Sequence, residues 1–240
     1  MNDNRDQLDP IAFICAMPME LKPLVKKLGL QKEQRNGVTL YSGTLGDGPV
    51  VAIVTGMGTE FATAGAEHLL DKVAVRHVIV FGITGAVDNE TPIGTLVLPE
   101  VVFLASSGAE YRPAPIGDET HKGKMRTGDD LLTDLEVISR LRDEGVVSLD
   151  METASIAQVC ESRGVSWSVY RVISDRATDG TIDDEVFHLS NQDGTMNAGA
   201  VARYFLKHPD RVPHMVKLAR DAKTATNGAA EAAIRAGSAL

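Results

Sequence analysis

An apolar run, Val146, Val147 and Leu149, ends in Asp150-Met151-Glu152, and a helix-like pattern of Ala154, Ile156, Ala157, Val159 and Cys160 follows. Two carboxylates therefore stand where a buried strand turns into a helix. Other strand-like runs end in acids too. Ile11 to Cys15 leads through AMPMELKPL to Glu20, and Val165 to Ile173 leads to Ser174-Asp175. Two more runs end in glycine turns, TGMG (Thr55 to Gly58) after Val54 and GITGA (Gly82 to Ala86) after Phe81. Each feature alone has a plain structural explanation. Glu152 could complement a helix dipole, Asp175 could cap a turn, and Glu20 could be a solvated helix acid. Together, at the carboxyl ends of strands in one sheet where α/β proteins bind ligands, they point to acid–base chemistry on a polyhydroxylated ligand.

Other chemistries lack their signatures. The turns are neither GxGxxG nor GxxxxGK[ST], so a dinucleotide or P-loop site is not expected. The glycines instead let backbone approach a ligand or a neighbouring strand. The six histidines show no HExxH or other ligand spacing, so no metal and no cofactor is expected. There is no G-x-S-x-G elbow. Cys15 and Cys160 lie within apolar segments and read as small core residues.

The elements that must position these acids alternate. Strands are predicted over Ile11–Cys15, Thr39–Leu45, Val50–Val54, Val78–Phe81, Gly94–Phe103, Lys124–Thr127, Val146–Leu149 and Val165–Ile173. Helices are predicted over Glu20–Leu28, from TGMG to about Leu70, over Glu136–Arg142 and over Glu152–Arg163, with more from Asp183 onward. The Ser106–Gly123 stretch reads as loop. The pattern predicts a three-layer α/β/α sandwich around a mixed, largely parallel sheet. At 240 residues, one large domain over 11–225 is expected, after a flexible polar segment 1–10. The tail 226–240, TNGAAEAAIRAGSAL, reads either as a weakly anchored helix or as disordered chain. A net charge of -9 argues against nucleic acid as a partner. The N-terminus lacks the apolar core of a signal peptide and no apolar run nears the roughly 20 residues of a membrane span, so no membrane association and a cytoplasmic location are expected.

The segments ICAMPMELKPLVKKLGL, TGMGTEFATAGAEHLL, VIVFGITGAV, TGDDLL, SLDMETASIAQVC and VISDRATD, in this order and spacing, resemble the nucleoside phosphorylase/nucleosidase superfamily. The nearest branch looks like the 5′-methylthioadenosine/S-adenosylhomocysteine nucleosidases. The resemblance runs from about Ile11 to Asp179. It implies that Asp175 is the general acid protonating purine nitrogen 7, with Ser174 holding it. Glu20 would bind the attacking water, Glu152 the ribose hydroxyls, and Met151 would pack beneath the sugar. Leu131 and Leu132 would line the base pocket, the Leu132 backbone reading the purine edge. Thr84, Met57 and Gly58 complete the implied substrate-binding set. It also implies a homodimer and a small-molecule nucleoside substrate.

These residue types suit that chemistry. Cleaving an N-glycosidic bond builds positive charge on the sugar, which ionised carboxylates favour. The leaving base needs a proton from a carboxyl that burial or a neighbouring carboxylate keeps protonated. Phosphorolytic relatives place an arginine and a serine around the turn that reads VFGITGA here. Val80, Phe81 and Ile83 would not hold a dianion, so water is the expected nucleophile. A phosphate-dependent phosphorylase and a nucleoside-binding protein without catalysis remain the alternatives. Three departures from the family pattern stand out: Asp150 in place of the usual glutamate, Ile83 in place of a small polar residue, and a short Phe103–Thr127 region.

Overall fold

The computed structural model describes residues 8–177, 191, 195 and 197–240. Eleven strands and six α-helices run in the order β1 (Ile11–Cys15), α1 (Pro18–Leu28), β2 (Gln31–Arg35), β3 (Val38–Leu45), β4 (Gly48–Val54), α2 (Thr59–Lys72), β5 (His77–Ala86), β6 (Leu96–Val97), β7 (Val101–Leu104), β8 (Glu110–Tyr111), β9 (Lys124–Thr127), α3 (Leu135–Asp143), β10 (Val146–Asp150), α4 (Thr153–Ser162), β11 (Trp167–Arg176), α5 (Ala198–Lys207) and α6 (Val212–Gly237), counting only the described residues. The strands form one sheet in the order β2-β3-β4-β1-β5-β10-β9-β7-β8, with β11 also on β5 and β6 on β11.

The central strands are parallel, and their helices cover both faces, so apolar side chains are needed on both. Strand β1 is buried at all five residues. Ile11, Phe13 and Cys15 pack toward α1 and α6, whereas Ala12 and Ile14 pack toward α2 and α4. Strand β5 alternates likewise, Ile79 and Phe81 on the first face, Val78 and Val80 on the second. This is the expected three-layer α/β/α sandwich with a mixed, largely parallel sheet.

The topology around β5 sets up the site. Strand β11 pairs with β5 from Val78 to Ala86. Strand β1 pairs with β5 only from His77 to Val80, and β10 pairs with it, antiparallel, only at Gly85 and Ala86. Strands β1 and β10 therefore share the other edge of β5 in turn. In the interval between them, the backbone of Ile83 bonds to side chains instead of a strand: its N–H donates to Glu20 and its carbonyl accepts from Arg171.

Most predicted elements are present, with shifted ends. The Gly94–Phe103 region divides into β6 and β7, and the Ser106–Gly123 loop contains the two-residue strand β8. Strand β2, QKEQR, has no apolar alternation; it is held by antiparallel pairing to β3 at the sheet edge. The helical reading from Asp183 falls partly on residues outside those described, as does all of segment 1–10 before Leu8.

The alanine-rich end is a correction. Residues 226–240 are neither a disordered nor a weakly anchored tail. Residues 226–237 form most of the second half of α6, and with Ala225 just before them Ala229, Ala230, Ala232, Ala233 and Ala236 are buried with Phe13, Ile79, Phe81 and Val172. Small residues let the helix lie close to the sheet: a Cβ at Gly237 would come within 3.0 Å of Phe13 Cζ. Alanine is also the best helix former. Overpacking this contact tests it. Ala229→Leu is expected to lower unfolding free energy by about 1–3 kcal/mol in urea titrations, whereas a loosely attached tail would leave the midpoint unchanged.

Candidate active site

Helix α1 delivers Glu20 into the protein interior. Pro18 suits the first helical turn, where its missing N–H costs nothing. Glu20 folds back over that turn and accepts from Ala16 N–H (3.0 Å) and Met17 N–H (2.8 Å) through Oε2. Its Oε1 accepts from Ile83 N–H at 2.8 Å. The residue is 1% exposed, so it is not a solvated helix acid. Gly82 permits this approach: its φ is +148°, a Cβ there would collide with the Glu20 carboxylate, and it would approach Arg171 Nη1 to 2.7 Å.

The strand end Asp150-Met151-Glu152 splits its acids between tasks. Asp150 Oδ2 accepts from Thr153 N–H (3.0 Å) and from the Thr153 hydroxyl, and Oδ1 accepts from Thr127 Oγ1 at 2.5 Å. Asp150 thus takes up the first N–H of α4, which has no partner within the helix. Glu152 Oε1 accepts from Gly58 N–H at 3.0 Å, which joins the TGMG turn to the DME segment. Both acids are buried.

Arg171 is the residue that the sequence reading missed. It lies in the β11 row of Trp167, Val169 and Ile173, which are core residues facing α2 and α4, yet it carries a charge at 1% exposure. Its Nη2 lies 2.7 Å from Asp150 Oδ2 and 3.3 Å from Glu152 Oε2, and Nη1 lies 3.7 Å from Glu20 Oε1. Nε donates to Thr153 Oγ1 and Nη1 to the Ile83 carbonyl, each at 3.2 Å. The available signal was a lone arginine inside the β-rich run WSVYRVISD. Its three acidic partners come from distant parts of the chain, which periodicity does not reveal.

Next to this cluster is a small cleft open to solvent, with a volume of about 100 Å³, lined by residues including Gly85, Leu131, Leu132, Leu149, Met151 and Asp175. Asp150 also lines it, so the cluster and the cleft adjoin. Ser174 Oγ donates to Asp175 Oδ1 at 2.5 Å. A Cβ at Gly85 would sit 3.2 Å from Asp175 Oδ2, so the carboxylate lies against that glycine. The expected site residues therefore fall into two neighbouring groups. Asp175, Met151, Leu131 and Leu132 share the cleft, with Ser174 bonded to Asp175; Glu20, Glu152 and Gly58 belong to the buried cluster. Thr84 is different: its hydroxyl donates to the Leu149 carbonyl at 2.7 Å, tying β5 to β10. Met57 is half-buried in the turn before α2 and is not among the residues lining the cleft.

The electrostatics follow from burial. Desolvation raises the Glu152 carboxyl from 4.5 to about 7, with Asp150 and Glu20 adding to the rise and Arg171 opposing it. Desolvation also raises Glu20, against the Arg171 charge and three backbone N–H donors. Both cysteine thiols are buried and raised by desolvation, Cys160 to about 12, so neither is poised as a thiolate nucleophile. Among the described residues, no group of three or more His, Cys, Asp or Glu side chains could hold a metal ion, and no helix is long and apolar enough to cross a membrane.

The raised Glu152 value has a definite consequence for stability. The folded state holds a proton there that the unfolded chain has released between pH 4.5 and about 7. The favourable contribution is complete below pH 4.5 and is lost as pH rises through about 7. Urea unfolding of the wild type and of Glu152→Gln, at several pH values across this window, checks it. The wild type is expected to lose stability relative to the variant as pH rises; parallel curves would contradict the assignment.

Comparison with known proteins agrees with this architecture. The family model described as the Phosphorylase superfamily matches residues 10–122 and 114–207. The chain is similar to a 5′-methylthioadenosine/S-adenosylhomocysteine nucleosidase from Chromohalobacter salexigens, 29% identical over 198 residues, covering 70% of this chain and 84% of that protein. The protein of the same name from Mycobacterium bovis is 27% identical over 218 residues, covering 70% of this chain and 86% of that one. Among solved structures, the Neisseria meningitidis nucleosidase of this name, in complex with methylthio-immucillin-A, superposes with a TM-score of 0.72 at 17% identity, over 97% of this chain and 100% of that one. The S-adenosylhomocysteine nucleosidase from Streptococcus pyogenes, in complex with 5-methylthiotubericidin, also reaches 0.72, at 19% identity, over 97% and 98%. The structural likeness reflects a shared fold, and with the family match over most of its length the chain belongs to the phosphorylase superfamily.

Proposed function

We propose that the protein is a purine nucleosidase that hydrolyses the N-glycosidic bond of 5′-methylthioadenosine and S-adenosylhomocysteine and releases adenine. The observation that carries this reading is the adjacency of two acidic groups with different surroundings. Glu20 and Glu152 are buried on one guanidinium, whereas Asp175 lines the neighbouring cleft beside Leu131 and Leu132. The names of the similar proteins supply the substrate.

In the proposed mechanism the base lies between the two leucines, and Asp175, oriented by the Ser174 hydroxyl, donates a proton to nitrogen 7 as the glycosidic bond breaks. Charge that leaves the sugar with the base is thereby neutralised, while the sugar becomes cationic. Glu152 binds the ribose hydroxyls and Met151 packs beneath the ring. The carboxylate charge beside the sugar stabilises its cationic character. Glu20 binds the water that attacks the anomeric carbon and takes its proton. Burial raises its pKa and so makes its carboxylate a stronger base than a solvated one.

Hydrolysis is favoured over phosphorolysis by the engagement of Arg171. Its donors are directed to Glu20, Asp150, Glu152, Thr153 and Ile83, so the guanidinium beside residues 81–84 of β5 is already engaged and is not offered to a phosphate dianion. The proposal extends to a homodimer working in the cytoplasm, in salvage of the methylthio nucleoside.

The test is chromatographic detection of base from methylthioadenosine, S-adenosylhomocysteine, adenosine and inosine, with and without phosphate. Adenine and free sugar are expected without phosphate, and Asp175→Asn is expected to lower kcat by about 10²–10⁴-fold. Release only in the presence of phosphate, or from none of the nucleosides, would overturn the reading.

A further inference from the structure

Asp129 does not itself line the cleft, although its neighbours Gly128 and Asp130 do, and three contacts around it close a ring. The Gly128 N–H donates to the Asp150 carbonyl at 3.0 Å. The Asp129 carboxylate accepts from Thr59 N–H at 2.7 Å and from Thr59 Oγ1 at 2.5 Å. The adjoining Gly58 N–H donates to Glu152 Oε1 at 3.0 Å. The ring thus joins the end of β10, the 128–132 loop and the start of α2. Gly58 has a φ of +96° and lies so close that a Cβ on it would be 3.1 Å from Asp129 Oδ1. Thr59 begins the 14-residue helix α2, where a carboxylate also complements the helix dipole.

We propose that Asp129 is a positioning residue: it anchors the start of α2 so that the Gly58 N–H holds Glu152 in the orientation that receives the ribose hydroxyls. This rests on the nucleosidase reading of the site. Without Asp129, the Thr59 N–H and hydroxyl lose their acceptor and the turn carrying Gly58 is free to shift. Glu152 then keeps its bond to Arg171 but loses a fixed donor on its other oxygen. The defect is specific to substrates that present ribose hydroxyls. Asp129 is exposed, so its removal costs little of the fold and the effect appears in selectivity.

The experiment compares kcat/KM for 5′-methylthioadenosine with that for its 2′-deoxy and 3′-deoxy analogues, in the wild type, Asp129→Ala and Asp129→Asn. Asp129→Ala is expected to lower the ribo-to-deoxy ratio roughly tenfold, through the ribonucleoside alone. Asp129→Asn keeps an acceptor for the Thr59 N–H and is expected to lower it about threefold or less. Ratios equal to the wild-type value in both variants would overturn the proposal and leave the nucleosidase reading intact, whatever happened to absolute rate or Tm. If Asp129→Ala does not fold, the ratio for Asp129→Asn decides: a fall supports the proposal and an unchanged ratio overturns it. A wild type that releases no adenine would overturn the underlying reading, and the proposal with it.

Discussion

The structure depends on one buried guanidinium. Arg171 meets three carboxylates, all of them nearly inaccessible to solvent. Attraction between charges at these distances is strong where water is excluded, but removing each charge from water is costly. One cation faces three acids here, and desolvation raises both Glu152 and Glu20 against its pull, with the neighbouring carboxylates adding to the rise at Glu152. A protein interior would be more stable with apolar residues of similar volume. The arrangement makes sense as a way to keep acids of unequal proton affinity beside a cleft.

The fold makes room for the cluster at a place where the sheet changes partners. Because β1 leaves β5 at Val80 and β10 joins only at Gly85, the Ile83 backbone has a donor and an acceptor to spare, and Glu20 and Arg171 take them. Buried backbone groups need such partners. Gly82 keeps the space clear on one side. On the other, Thr127 and Thr153 bond to Asp150, and Thr127 Oγ1 also accepts from Ala154 N–H at 3.0 Å. The acids are therefore oriented by backbone that the sheet itself fixes, which limits their movement when a ligand binds.

The sequence made the parallel core and its strand-end acids legible, because β-branched runs and period changes report burial directly. Asp150, Glu152 and Asp175 could be located from the strands that precede them. Arg171 could not, since its acidic partners lie 19 to 151 residues away in the chain and a single charge does not disturb the apolar pattern around it. The edge strand QKEQR carried no apolar signal because it buries little. The alanines of α6 were misread for a related reason: a small side chain on a helix that lies close to a sheet is a core residue, whereas the same composition elsewhere belongs to a solvated helix. The two-stage sharing of β5 was also invisible, because pairing between distant strands depends on the whole topology.

The most direct measurement of the central claim is the unfolding free energy of Arg171→Met at pH 5 and at pH 8, compared with the wild type. If one guanidinium holds the three carboxylates, its loss leaves buried acids unpaired. The cost should then be about 3–5 kcal/mol at pH 8, and clearly smaller at pH 5, where protons can replace the missing cation. An equal loss at both pH values, or a loss under about 1 kcal/mol at pH 8, would contradict the account.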